Sequence, residues 1–220
     1  MKRFLSSAMT AAFVLSAGGA HADTLSVTSY DMPNGSGQAH GGSYNYWDKS
    51  YTGGGSTTTD GALLKGGVGD LTDGVTTTSN WYGIENAAGT GPYVGWLNGV
   101  TANPTIDFRF GTVVVVDTVR IHADDSGGAG GVSLPSTVTI NGTAFAVTDP
   151  DPGSTAPSWL AFKGLGITGN HVTVSLGYGN SWIFVDEVQF AGVVPEPETY
   201  AMMLAGLGLL GAVARRRRQR

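Results

Sequence analysis

Cysteine is absent from all 220 residues. That excludes disulfides, thiolate-held zinc or iron–sulfur centres and any thiol nucleophile, so an exported fold must rest on its core or on a bound ion. Basic residues are scarce in the body of the chain. Between Asp23 and Val194 only Lys49, Lys65, Arg109, Arg120 and Lys163 face fifteen acidic residues, a net charge of −10 where the whole chain shows −5. A surface of that sign disfavours nucleic acid and anionic lipid as partners. Sustained helical periodicity is missing from the same region. Nor does any serine or threonine stand in a Gly-x-Ser-x-Gly context, and His21, His40, His122 and His171 show no ligand spacing. Asp124 and Asp125 are adjacent, so on a strand they point apart rather than flank a glycosidic bond. The chain reads as a non-enzyme.

What is present begins with the two ends. Lys2 and Arg3 precede an apolar stretch at residues 4–17, and Ala20-His21-Ala22 supplies the small-x-small pattern of a signal-peptide cleavage site, with Asp23 opening the mature chain. At the other end stand Val194, Pro195, Glu196 and Pro197, an apolar run over residues 200–214, and then Arg215, Arg216, Arg217 and Arg218. The prolines fix φ and keep the motif extended. As a helix the fifteen-residue run spans only about 22 Å, short of the roughly 30 Å hydrocarbon core. The arginines stop translocation and hold the terminus on the cytoplasmic side.

This tail resembles the PEP-CTERM sorting signal of Gram-negative bacteria that make extracellular polysaccharide. The resemblance implies transient residence in the inner membrane, processing near Val194–Pro197 by an exosortase, and final placement at the cell envelope surface or outside the cell. An ordinary tail anchor behind a prolyl linker is the plainer alternative.

Between the ends, Gly, Thr, Ser and Asn dominate and apolar residues come in short bursts. Residues 31–69 are glycine-rich, with Tyr44, Tyr46, Trp47 and Tyr51 expected to cover one end of the domain. Strand signals follow over residues 93–97, 105–110, 113–122, 136–147, 159–162, 171–176 and 182–190. Asn141-Gly142 is the preferred dipeptide of a tight hairpin. Seven or eight short strands with such loops predict an all-β antiparallel sandwich. The expected organisation is a signal peptide over 1–22, a Gly/Tyr-rich segment over 23–65 packing on the sandwich, the sandwich itself over 66–192, and the sorting signal over 193–220.

Leu71-Thr72-Asp73-Gly74, Trp81, Ile106-Asp107-Phe108, the run 116–121 and the run 182–188 together are similar to discoidin-type (coagulation factor 5/8 C) domains. The resemblance covers roughly residues 66–192 and implies a galactose-binding-like jelly roll. It also implies a structural calcium ion at the loop holding Asp70, Asp73, Thr78 and Ser79, closed by Glu187 on the last strand. The loop's mix of carboxylates, hydroxyls and carbonyls suits calcium, which takes six to eight oxygen ligands. An Asx-turn with exposed acids accounts for the same residues.

Aromatic side chains in loops can stack on sugar rings, and Trp81, Tyr82 and Tyr178 are the candidates of that kind. His122, Asp124 and Asp125 end a strand and open a loop where a ligand can be met, although a plain strand-ending loop needs no function. The reading is an exported, non-enzymatic protein that associates with extracellular polysaccharide. The alternative is an enzyme or accessory subunit acting on that polymer through loop carboxylates.

Overall fold

The computed structural model describes residues 23–37, 44–194, 203, 205–211 and 215–216. The signal peptide, Pro195, Glu196, Pro197, Arg217 and Arg218 lie outside the described residues. Residues 203, 205–211, 215 and 216 are helical, but among the described residues no helix is long and apolar enough to cross a membrane.

Ten strands form the domain: β1 (Asp23–Leu25), β2 (Val27–Pro33), β3 (Leu63–Gly67), β4 (Val94–Leu97), β5 (Thr105–Ala123), β6 (Thr137–Ile140), β7 (Thr143–Ala146), β8 (Ser158–Phe162), β9 (Ile167–Gly177) and β10 (Trp182–Val193). The helical pieces between them are a 3-10 turn at Asp70–Thr72, a single turn α1 at Trp81–Ile84, and a 3-10 turn at Ala129–Gly131. All strand pairs are antiparallel. The main path runs β1-β10-β5-β9-β6-β7, with β2 on β3 and β5, β4 on β10, and β8 on β5.

β5 organises the sandwich. Its first half pairs with β2 and β9 and its second half with β8 and β10. The sequence predicts two strands here, and the structure joins them into one of nineteen residues. The join is irregular: the register against β9 slips between Arg109 and Val114, where Gly111-Thr112-Val113 is exposed. Ile106, Phe108 and Phe110 are buried on one phase and Val119, Ile121 and Ala123 on the other. The change falls at Asp117, where the β10 ladder also slips and β5 carries an extra residue, a bulge. Phe108 and Phe110 from the first half meet Phe190 of β10 at 5.0 and 5.3 Å between ring centroids, closing the core across the layers.

Asn141 and Gly142 both adopt positive φ, 45° and 84°, which a two-residue hairpin turn between β6 and β7 requires. The N-terminal segment does more than cover one end. β2 lies inside the sheet with Tyr30 and Met32 fully buried, and the boundary expected near residue 66 falls within β3. The tyrosine-rich loop then delivers Tyr46 to a second core cluster with Trp81, Tyr93, Val132 and Phe184. That cluster needs Gly95, since a Cβ there would sit 1.9 Å from Phe184 Cε1.

Candidate functional site

One loop, residues 73–81, is held against the sandwich by three acids that all grip its backbone. Glu187 Oε2 accepts from Gly74 N at 3.0 Å, Asp186 Oδ2 from Thr77 N at 2.9 Å, and Asp124 Oδ2 from Trp81 N at 2.6 Å. Asp124 follows the end of β5. Asp186 and Glu187 are consecutive on β10, yet both are buried. Consecutive strand residues normally face opposite sides. The exception has a cause: the register slips between Val185 and Glu187, so Asp186 is the extra residue of a bulge that re-aims its carboxylate. Its other oxygen meets His122 Nδ1 at 2.6 Å.

Asp124 Oδ1 is further satisfied by Asn80 Nδ2 at 2.9 Å and Ser126 Oγ at 2.6 Å. Burial pushes the Asp124 carboxyl up from the ordinary aspartate value, and these hydrogen bonds pull it back. Burial likewise pushes Glu187 up to about 7, with Asp73 adding to the effect and the Gly74 hydrogen bond opposing it.

Outside the clamp lies an open cleft of about 540 Å³, lined among others by Asp70, Asp73, Val75, Thr78, Ile84 and Thr90. Val75, Ile84 and the neighbouring Tyr82 are exposed. The cleft thus joins an apolar rim to threonine hydroxyls and two acids.

Several predicted site residues take other places. Thr78 and Ser79 are exposed, and the buried hydroxyl of the loop is Thr77. Asp70 is drawn inward to a separate network. Its Oδ1 accepts from Ser50 Oγ at 2.5 Å, and Ser50 is also within 3.1 Å of Asp48 Oδ1. Asp48 in turn accepts from the Tyr30 hydroxyl. Burial and the neighbouring Asp48 charge push Asp70 up to about 7. Asp73 Oδ1 accepts from Val75 N at 2.8 Å, the Asx-turn of the plainer reading.

Trp81 is 7% exposed and packed edge-on against Tyr46 and Tyr44. It is a core residue and presents no face to a sugar, whereas Tyr82 is 56% exposed. Tyr178 is half-buried and donates its hydroxyl to Thr101 O at 2.8 Å. His122 is buried between Asp186 and the ring of Trp159. Asp125 is buried as well, and burial, then the Asp149 charge, push its carboxyl up.

Among the described residues no group of three or more His, Asp or Glu side chains converges to hold a metal. A hard cation would therefore need hydroxyl and carbonyl oxygens beside any carboxylate. One such oxygen is orphaned: Thr72 Oγ1 is buried without a hydrogen-bond partner among the described residues, and Thr72 shares the lining of a 300 Å³ cavity with Glu187. Hydroxyl and carboxylate oxygens are donor types that calcium takes, although it needs six to eight of them. Asp186, Asp48, Thr77 and Thr72 are residues that sequence reasoning passes over. The one signal was the Asp186-Glu187 pair inside an otherwise apolar strand.

Residues 26–146 match the family described as Discoidin domain-containing receptor 1/2, DS-like domain, and residues 193–218 match the PEP-CTERM protein-sorting motif. No curated protein matches the chain. Solved structures similar to it include a truncated AlyQ with CBM32 and alginate lyase domains, at 13% identity and TM-score 0.40 over 79% of this chain. The chain spans only 34% of that protein. The family 32 CBM from C. perfringens NanJ in complex with galactose aligns at 15% identity and TM-score 0.31, covering 46% of this chain and 79% of its own. The Streptococcus pneumoniae beta-galactosidase BgaA aligns at 13% identity and TM-score 0.37, covering 55% and 82%.

Proposed function

The chain belongs to the discoidin DS-like family and ends in a PEP-CTERM sorting motif, and from that premise we propose that it is an exported, non-enzymatic protein that associates with extracellular polysaccharide through the cleft beside residues 73–84. The observation that carries this reading is the cleft itself, with an exposed aliphatic rim over hydroxyls and acids and the exposed Tyr82 nearby in the chain. An aromatic face packs against pyranose C–H groups, and threonine hydroxyls and carboxylates pair with sugar hydroxyls. Tyr82 provides the platform, Val75 and Ile84 extend it, and Thr78 and Thr90 supply the hydrogen bonds.

Calcium, when bound, would add a positive charge that offsets the acids facing the loop. Asp73, Glu187 and the Thr72 hydroxyl would hold it, with carbonyls of the same loop completing the shell. The chain's own clamp does the positioning: Glu187, Asp186 and Asp124 fix the loop by its amides and so hold the rim of the cleft in place.

The sorting motif supports export and processing by an exosortase, and hence a mature protein at the cell surface or beyond it. Processed protein recovered from culture should be retained on a column of the producing organism's own exopolysaccharide, and Tyr82→Ala should elute early. Absence of retention both with calcium and with chelator would remove the ligand reading. Shortening of the polymer on incubation would instead favour an enzyme.

A further inference from the structure

Ile84, Thr90, Gly91 and Pro92 line the cleft, so the segment 85–93 between α1 and β4 forms one of its walls. Glu85 Oε1 accepts from Tyr93 N at 2.9 Å, a clasp that joins the two ends of that segment. Between the ends the contacts are light. Gly89 N bonds to Asn86 O at 3.1 Å and Asn86 Nδ2 to Thr90 Oγ1 at 3.1 Å, both within the segment. From outside it, Asn45 N bonds to Asn86 O at 3.1 Å and Lys49 Nζ to Ala88 O at 2.9 Å. Residues 87, 88 and 90 are exposed.

The clasp itself is buried. Glu85 Oε2 has no hydrogen-bond partner among the described residues, and Gly91 closes over the carboxyl. The groups that face it are acids and phenols: Asp70 from the first 3-10 turn, Asp124 from the end of β5, Asp186 from β10, and Tyr46 and Tyr93. Lys49 is turned to the Ala88 carbonyl, and among the described residues no salt bridge reaches Glu85. A carboxylate formed here has one oxygen without a donor and no counter-charge. Such a charge is relieved by letting water in, and the lightly held segment gives way at less cost than the strands do.

We infer that the neutral Glu85 carboxyl is a catch holding the cleft wall shut, so that its ionisation frees residues 85–93 and releases the ligand. The release of ligand rests on the cleft being the binding site; the opening of the segment does not. The sign follows from the two states of the carboxyl. In the open segment it meets water and ionises near 4.5, whereas in the closed one burial, with Asp70, Asp124 and Asp186 adding to it, pushes it up to about 8. Between those values opening becomes about tenfold more favourable per pH unit, and above 8 it levels off. Asp70, which burial and Asp48 push up to about 7, gains its own charge in the same range and adds to the repulsion.

Hydrogen exchange of single amides, followed by NMR on processed protein from pH 5.5 to pH 8.5, tests the catch. After correction for the base catalysis of exchange, the Tyr93 and Gly89 amides should lose protection by about tenfold per pH unit, while amides of β5 and β9 keep theirs. In Glu85→Gln, which keeps the acceptor for Tyr93 and cannot ionise, the Tyr93 and Gly89 amides should hold their protection throughout. Loss of protection in step across the whole domain overturns the inference, and this wild-type comparison decides even if the variant does not fold. An equal slope in wild type and variant overturns it too. Retention on the producing organism's exopolysaccharide should fall between pH 6 and pH 8.5 for wild type and fall less for Glu85→Gln. Retention that stays level while the segment opens would overturn the release of ligand. A domain that binds no polymer at any pH fails the cleft reading instead, and the exchange result is independent of it.

Discussion

Glu85 offers a quantitative check on how the acids are buried. It follows α1 with its side chain in the interior: Oε1 accepts from Tyr93 N at 2.9 Å, and Oε2 is buried without a hydrogen-bond partner among the described residues. Gly91 backs it so closely that a Cβ there would stand 2.2 Å from Oε1. Burial pushes its pKa from 4.5 up to about 8, with the Tyr93 hydrogen bond opposing and Asp70, Asp124 and Asp186 adding to the rise. The folded state therefore keeps a proton that the unfolded chain releases near pH 4.5. Stability is fullest below that pH, declines as pH rises towards 8, and levels off above it. The decline attributable to Glu85 is about 1.4 kcal/mol per pH unit, up to about 5 kcal/mol in all. Glu85→Gln keeps the acceptor for Tyr93 and cannot ionise. Its amide places a donor at the Oε2 position, as the protonated acid does with its O–H, so the two are close in the acid range. Denaturant unfolding from pH 5 to pH 9 should thus show the variant near the wild type at the acid end and progressively more stable than it towards the alkaline end. Two parallel curves would refute the reasoning, since they would mean that Glu85 titrates alike in both states.

Three other outcomes are expected. Trp81→Ala should lose about 3–5 kcal/mol in denaturant unfolding, whereas Tyr82→Ala should stay within about 0.5 kcal/mol and lose polymer retention instead; equal destabilisation would contradict their opposite placement. If calcium is held by Asp73, Glu187 and Thr72, chelation should lower the melting temperature, the ion contributing about 2.7 kcal/mol at one hundred times its Kd. Glu187→Gln should abolish that increment, and an unmoved melting temperature would leave a loop held by hydrogen bonds alone. Replacing Pro195, Glu196 and Pro197 by alanine should leave the protein uncleaved in the inner membrane, and equal membrane retention of wild type and variant on fractionation would mean a simple tail anchor.

The strands from β4 onward were legible because alternation marks half-buried strands wherever polar and apolar residues take turns, as Ile106, Phe108 and Phe110 do. The β6–β7 hairpin was legible because Asn141-Gly142 tolerates the positive φ that the turn requires. β2 was not, since Tyr30 and Met32 are its only fully buried residues and glycine-rich sequence follows it. The two bulges were invisible for a different reason. A bulge is a mismatch between two ladders, and neither strand's own pattern reveals it. Hence the Asp186-Glu187 pair stood out in an apolar strand, but only the bulge shows that both acids face one loop. Trp81 was read as a loop aromatic because its partners, Tyr44, Tyr46 and Phe184, come from distant parts of the chain.

The clamp grips amides and ignores side chains. Gly74, Thr77 and Trp81 are held by their N–H groups, so the only residue the clamp itself forbids at those positions is proline, which has no such group. Residues 75, 76, 78 and 79 are all exposed. Natural variation or a designed library can therefore rewrite that rim almost freely while the carboxylates of β10 and the β5 end keep the loop's course unchanged. A framework of this kind can acquire a new ligand by surface substitution alone, and the variants most worth sampling lie in these four positions and at Tyr82.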